Sequence, residues 1–304
     1  MSASAPIDIL SSVLSRLSPR ARVFATPTLC GAWCLNTSGV ARAQFHLVAA
    51  GSCYLHLKPE HPRQRLEAGD LVVLPHDAWH MLTASPEREH DDTFFVADAG
   101  GPSTSLVCGQ FEFPDAKFNP IRDALPAVIV IRAQVSAGRL GVLLNMLAEE
   151  SLNVDTGTQA VLDALSYALF VLVLRHHVAA TSDSRGMLAA LADPQLARAL
   201  QAIHSRPGDA WTVERMAREA GMSRTSFAER FATVMAGTPM NYVASWRMIE
   251  AQRMFRDSRL SVARVASSLG YETEAAFRRA FRRITGLSPG TARRPHPYRS
   301  PNGS

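Results

Sequence analysis

The first half of this 304-residue chain carries the side chains able to bind a soft metal or to answer an oxidant. Cys30 and Cys34 stand in Cys-Gly-Ala-Trp-Cys, Cys53 and Cys108 follow, and His46 and His80 are interspersed among them. Two neutral imidazoles and a thiolate suit zinc or copper, and the thiolate is the form that oxidants attack. In an extended strand Cys30 and Cys34 face the same way about 13 Å apart, too far for a disulfide unless the chain bends at Gly31. The same residues also read as packing. A buried cysteine behaves as a small hydrophobe, His46 can be a hydrogen-bonded core residue, and His80 can close a turn. No complete acid–base or metal set for turnover accompanies them, so an enzyme is not expected.

The second half offers charge. Residues 197–304 hold 18 arginines, no lysine and 8 acidic residues, a net +10, whereas residues 1–196 hold 14 basic and 19 acidic ones. Such asymmetry points to an acidic module joined to one that meets a polyanion. A solvated basic face would give the same totals, so spacing has to decide.

The elements that must position these groups differ between the halves. Ile7, Leu10, Leu14 and Leu17 fall at helical spacing and predict a short opening helix. From Val23 to about Ala133, short apolar runs are separated by Gly, Pro and Asp, the texture of a small barrel or sandwich. In its strand beginning Gln44-Phe45-His46, alternation puts Gln44, His46 and Val48 on one face. If that face is inward, His46 and His80 approach each other. Helices are predicted at 138–153 and 158–178, and the small, polar stretch 179–186 reads as a linker.

Beyond it, two copies of one unit are visible. Val213, Met216, Ala217 and Ala220 form an apolar stripe ending at Gly221; Val262, Val265, Ala266 and Leu269 repeat it and end at Gly270. Thr212 and Ser261 stand where a hydroxyl caps a helix. After each glycine a second helix is anchored by Phe227 and Phe231, or by Phe277 and Phe281. A short helix, a glycine turn and a second helix is the helix-turn-helix pattern, whose second helix can enter a DNA major groove. Met240, Ala244, Met248, Ala251 and Phe255 predict one long connecting helix with a continuous stripe.

The run from Trp211 to Arg294, above all 261–293, resembles the DNA-binding domain of the AraC/XylS transcription regulators. That resemblance implies two helix-turn-helix units joined by one long helix. It assigns Thr225, Ala228 and Glu229 to bases in the first unit, and Glu274, Ala275, Arg278 and Arg279 in the second. Ser223, Arg224 and Thr273 are placed nearer phosphate. Glu229 departs from the pattern, since a basic or amide side chain is common there. Residues 23–133 are similar to the cupin-type sensor domain of some members, on Leu29–Trp33, Phe45–Leu55 and Leu66–Leu82. Metal-binding cupins supply a His-x-His pair and a Glu from their first motif; here Gln44 stands near the Glu position and the pair is missing.

The expected architecture is therefore α+β in two domains. A cupin-like β-barrel with flanking helices for sensing and dimerisation occupies 1–178, a linker 179–192, and an all-α double helix-turn-helix domain 193–296. The expected function is sequence-specific transcription regulation, as activator or repressor, controlled by a small-molecule effector in the barrel. One alternative is a sensor of metal or oxidant using Cys30, Cys34, His46 and His80. Another is a cupin enzyme with an accessory nucleic-acid module. The implied partners are double-stranded DNA, an effector or oxidant, a second copy of the chain and RNA polymerase. No cofactor is required, and a bound metal ion is left open. With 47% hydrophobic residues and four cysteines, disorder and a disulfide-dense scaffold are excluded. No apolar run reaches the roughly 20 residues of a membrane span and no secretory signal opens the chain, so a cytoplasmic protein with free thiols is expected.

Overall fold

The computed structural model describes residues 8–57, 62–87, 94–95, 101–113, 119–135, 138–153, 155–180, 185–257 and 260–293. Part of the expected linker, residues 181–184, lies outside them. The chain forms two compact units. One comprises Pro19–Glu112 with Leu125–Thr181; the other comprises Met1–Ser18, Phe113–Ala124 and Ser182–Ser304.

In the first unit, the short apolar runs become strands of two sheets. Strands β1 (Arg20–Ala25), β2 (Thr28–Cys30), β4 (Ala43–Ala50), β7 (Leu71–Leu74), β10 (Ser103–Glu112) and β11 (Ile129–Ile131) form one sheet, in the order β1-β10-β4-β7-β11 with β2 also on β10. Strands β3 (Trp33–Leu35), β5 (Ser52–His56), β6 (Gln64–Glu67), β8 (Met81–Thr83) and β9 (Phe94–Phe95) form the other, in the order β6-β5-β8-β3-β9. Gly51, at φ +77°, is the corner at which the chain passes from β4 to β5 and so between sheets. An added Cβ there would lie 2.2 Å from the Ser103 carbonyl oxygen, which no side chain tolerates.

Alternation along β4 serves two cores at once. Val48 points inward with Trp33, Leu55, Leu66, Val72, Leu74, Leu82 and Leu106, together with Cys53 and Cys108. On the opposite face, Phe45 stacks on Phe111 at 5.0 Å, and Phe111 meets Phe170 at 4.8 Å. Gly109 is paired with Phe45 across the sheet, and a Cβ there would collide with the ring at 2.3 Å. Phe170 belongs to α3 (Thr158–Ala180), which packs beside α2 (Arg139–Leu152). Where the β1–β10 register shifts after Val23, the ladder leaves that residue's backbone unserved. Asp163 of α3 accepts from its N–H at 2.9 Å, and Gln159 donates to its carbonyl at 2.9 Å. With 23 residues and a mean hydropathy of 1.4 in its most apolar window, α3 is long and apolar enough to cross a membrane by length and composition. Polar residues interrupt its apolar runs, and one side is packed on β1 and β10. Leu169 and Val173 are buried there, while Val161 and Tyr167 of α3 and Val142 and Met146 of α2 are exposed.

The second unit is helical: α1 (Ile9–Leu17), α4 (Met187–Ala192), α5 (Pro194–Ser205), α6 (Val213–Ala220), α7 (Arg224–Met235), α8 (Pro239–Asp257), α9 (Val262–Ser268), α10 (Glu274–Thr285) and α11 (Pro289–Ala292). Helix α1 buries Ile9, Val13, Leu14 and Leu17 and packs on α5 and α8. Helix α8, about 28 Å long at 1.5 Å per residue, spans the unit. Its core face differs from the single stripe expected, because Met240 is 43% exposed. Tyr242, Val243 and Trp246 are buried in its first half, and Met248, Ala251 and Phe255 in its second. One helix serves two successive cores on different sides, so no single 3.6-residue stripe describes it.

Candidate nucleic-acid interface and barrel site

Inside the barrel, the inward residues of β4 meet the turn before β8. The Nε2 atoms of His46 and His80 lie 3.0 Å apart, and Thr37 Oγ1 sits 2.9 Å from His80 Nε2 and 3.3 Å from His46 Nε2. His80 Nδ1 is 2.8 Å from the Ala78 carbonyl, which can only accept, so Nδ1 carries the hydrogen and Nε2 is bare in the neutral ring. His46 then donates from Nε2 to His80, and its Nδ1 accepts from the Cys108 thiol at 3.2 Å. A chain Cys108→His46→His80→Ala78 results. Burial and the neighbouring His80 hold His46 well below the usual imidazole range, and burial lowers His80. Burial pushes the Cys53 thiol up to about 12 and raises Cys108 further, so both stay protonated. Gln44 donates to the Thr37 carbonyl at 2.7 Å and to Asp77 at 3.1 Å, while its buried Oε1 has no partner among the described residues. Asp77 also receives the backbone N–H groups of Gly39 and Ala41, which ties the 37–41 loop over the histidines.

The cysteines do not join this cluster as a set. Cys30 is exposed on β2, Cys34 is buried on β3 in the other sheet, and none of the four cysteines is in a disulfide. The bend at Gly31, φ +67°, sends the two residues into different sheets. Among the described residues, no group of three or more His, Cys, Asp or Glu is placed to hold a metal. Arg42, near the Cys-Gly-Ala-Trp-Cys run in sequence, is engaged with Glu112 at 3.2 Å.

In the helical unit, the two repeats adopt the same local geometry for the same reasons. Thr212 Oγ1 accepts from the N–H of Arg215 at 3.2 Å, and Ser261 Oγ from that of Arg264 at 3.2 Å. These bonds satisfy N–H groups that the first helical turn leaves free. Gly221 (φ +68°) and Gly270 (φ +74°) make the left-handed turn out of each first helix. Ser223 Oγ then caps α7 through Ser226 N at 3.2 Å, and Thr273 Oγ1 caps α10 through Ala276 N at 3.1 Å. Phe227 and Phe231 are fully buried under α7, as are Phe277 and Phe281 under α10.

The outward faces diverge. On α10, Ala275, Arg278, Arg279, Arg282 and Arg283 are exposed, with the guanidiniums at i, i+1, i+4 and i+5 along one side. Arg278 is held by Glu274, whose Oε1 accepts from its Nε and lies 2.6 Å from its Nη2. On α7, Thr225 and Glu229 are exposed and Ala228 is half-buried. Its two arginines are both engaged by acids, Arg224 by Glu214 and Arg230 by Asp193 at 2.6 Å. The helical unit carries two capped helix-turn-helix units on one long helix, and the other unit a barrel of two antiparallel sheets.

A cupin family model matches residues 8–179, more than half of the chain, and a helix-turn-helix domain model matches residues 216–295. The chain belongs to the AraC/XylS family, with an N-terminal cupin domain. Relatives run almost its full length. A putative AraC-like transcription regulator of Streptomyces lividans is 29% identical over 96% of this chain and 99% of its own. The HTH-type transcriptional regulator AlkR of Acinetobacter baylyi is 28% identical over 93% and 98%, and the RCS-specific HTH-type transcriptional activator RclR of Escherichia coli is 28% identical over 94% and 97%. This AraC/XylS-family protein is a DNA-binding transcription regulator.

In this regulator, sequence reasoning missed Thr37 and Cys108 as partners of the histidines, and Asp77 as the anchor of Gln44 and the 39–41 backbone. Nothing in their spacing marks them, since they come from a loop, a turn and a distant strand. It also passed over Arg282 and Arg283, which a helical count from Arg278 and Arg279 would have found.

Proposed function

We propose that this AraC/XylS-family protein is a cytoplasmic, non-enzymatic regulator whose promoter binding is controlled by a small organic effector held in the cupin barrel. The observation that carries the effector reading is the unpartnered carboxamide oxygen of Gln44, buried beside Thr37, His46 and His80 in the barrel. A buried acceptor without a donor costs about 1–3 kcal/mol, which a ligand N–H or O–H in hydrogen-bond reach would recover. At the DNA, Arg278 and Arg279 with Glu274 and Ala275 face bases from α10, Thr225, Ala228 and Glu229 do so from α7, and Ser223, Arg224 and Thr273 lie near phosphate. Dimerisation uses the apolar positions left outside on α2 and α3, among them Val142, Met146, Val161 and Tyr167. RNA polymerase is the partner that reads the outcome.

A second reading, sensing of metal or oxidant, is favoured by the 3.0 Å between the two imidazole Nε2 atoms. For a metal to sit there, His46 has to move its hydrogen from Nε2 to Nδ1, so that both Nε2 lone pairs face the ion. Among the thiols, exposed Cys30 is the one an oxidant reaches directly.

One experiment separates the readings. Footprints of the full-length protein on duplexes selected in vitro are compared without addition, with a small-molecule panel, with hypochlorite, and with zinc or copper. A response to an organic compound that Gln44→Leu abolishes supports the first reading. A response to metal or oxidant, lost in His46→Ala or Cys30→Ser with folding intact, replaces it with the second.

A further inference from the structure

One side chain touches both helix-turn-helix units. Arg247 lies midway along α8, and its Nε donates to the Pro207 carbonyl at 2.8 Å while an Nη donates to the Asp209 carbonyl at 2.8 Å. Those carbonyls belong to the loop entering the first unit. There the Asp209 carboxylate receives Arg215 of α6, and Trp211 lies beneath the Arg215 guanidinium at 4.6 Å. On its other side, the Arg247 guanidinium covers the Tyr271 ring, 5.4 Å from the centroid. Tyr271 follows Gly270 in the turn of the second unit. Beside this contact the two backbones meet directly. An added Cβ on Gly270 would lie 2.2 Å from the Gly208 carbonyl oxygen, and one on Gly208 would lie 2.2 Å from that of Ser268.

The geometry points to Arg247 as a positioning residue that sets the separation and phase of the two recognition helices. This rests on the reading that α7 and α10 both engage DNA. Each end of α8 is anchored in its own core, around Tyr242 and Trp246 or around Met248 and Phe255. Helix α8 and the backbone contact at Gly208 and Gly270 join the units, and Arg247 ties α8 to both sides of that contact. Arginine suits the task because its fork satisfies two carbonyls while the guanidinium stays within cation–π reach of an aromatic ring. Lysine can donate to the carbonyls but is a point charge without the fixed fork that reaches both carbonyls and the ring.

The test uses the full-length protein and duplexes that it selects from a random library, with the two protected segments mapped by hydroxyl-radical footprinting. One base pair inserted between the segments turns one against the other by about 35° and shifts it by about 3.4 Å. The wild type is expected to lose about tenfold in affinity on that change, comparable to one mismatched base pair. Arg247→Ala is expected to lose less than about threefold on the same change, with unaltered affinity for a duplex carrying only the second segment; Arg247→Lys falls between them. A role in folding alone would weaken binding to every duplex equally and keep the wild-type spacing penalty, and that result overturns the proposal. Should circular dichroism show Arg247→Ala unfolded, Arg247→Lys and Tyr271→Leu decide by the same ratio. A wild type that protects a single segment defeats the two-helix reading first, and this inference with it.

Discussion

Helices α7 and α10 are each 12 residues long, each starts on a hydroxyl cap, and each buries two phenylalanines at the same spacing. What they show to solvent is opposite. Helix α10 presents four guanidiniums, with Arg278 paired to Glu274 of the same helix; α7 presents Glu229, and both its arginines are paired with acids of other elements, Glu214 and Asp193. The lesson is that duplicated frames do not carry duplicated functions. Caps, glycine turns and buried rings build a helix-turn-helix in both places, while the exposed positions, free of packing demands, set what each one does at the phosphate backbone and the base edges.

If the frames are equivalent, breaking them should cost the same. Phe231→Ala and Phe281→Ala are each expected to destabilise the full-length protein by about 3–5 kcal/mol, the range for a fully buried ring. Chemical denaturation followed by tryptophan fluorescence measures both. A much smaller cost for Phe231 would mean that the first unit is held chiefly by its neighbours rather than by its own core.

If the faces differ, single exposed changes should not be interchangeable. Arg279→Ala is expected to cost roughly 1–3 kcal/mol and to relax the preference at one base pair, since a guanidinium matches the O6 and N7 acceptors of guanine. Competition against single-base variants of a selected duplex reads this out. Equal weakening on every duplex would instead make Arg279 a phosphate contact and leave base reading to Arg278 and its Glu274 brace.

The cores also differ in a buried histidine. The first contains His204, stacked on Trp246 at 3.7 Å and 2.6 Å from the Tyr242 hydroxyl; burial, with Arg16 nearby, lowers its pKa to about 3. Among the described residues, no histidine is buried in the second core. A histidine that stays neutral when folded and takes a proton near pH 6.5 when unfolded stabilises the protein above pH 6.5. That contribution is lost progressively as the pH falls toward 3. Between pH 7 and pH 5 the loss amounts to about 2 kcal/mol. His46 and His80 of the barrel act in the same sense, so the measurement is a difference: His204→Gln should flatten the pH dependence by about that amount. An unchanged slope would place the titration in the barrel alone.

The frames were legible in the sequence because they are local. Thr212, Ser261, the two glycines and the paired phenylalanines each act within a few residues of their own position, and so the spacing reports them directly. The barrel was legible as texture, from short runs and the Gly69-Asp70 turn. There the buried Asp70 carboxylate holds the Ala133 N–H at 2.8 Å and Arg132 at 2.8 Å. What the sequence could not convey depends on distant partners. The histidines meet through Thr37 from a loop, α8 turns different sides to two cores, and α1 packs on α5 and α8 through Arg16, which donates to the His204 carbonyl at 3.1 Å. None of these contacts leaves a periodic mark.

The smallest expected effect bears most directly on the comparison. Glu229 is exposed on α7 at a position assigned to bases, where a carboxylate repels phosphate but can accept from a cytosine amino group. If repulsion is its main effect, Glu229→Arg removes a negative charge and adds a positive one without disturbing the core, because Phe227 and Phe231 face the other way. Binding should then strengthen on all duplexes by about 0.2–1 kcal/mol, the range for an exposed charge pair. The salt dependence should steepen by about one unit in its logarithmic slope as an added phosphate contact releases a counterion. Affinities of the wild type and the variant, measured across a salt series on one selected and one unrelated duplex, give both quantities. A variant that binds the unrelated duplex more tightly yet loses the selected one would show that Glu229 reads a base. The first unit would then carry sequence information through an acid, where the second carries it through arginine.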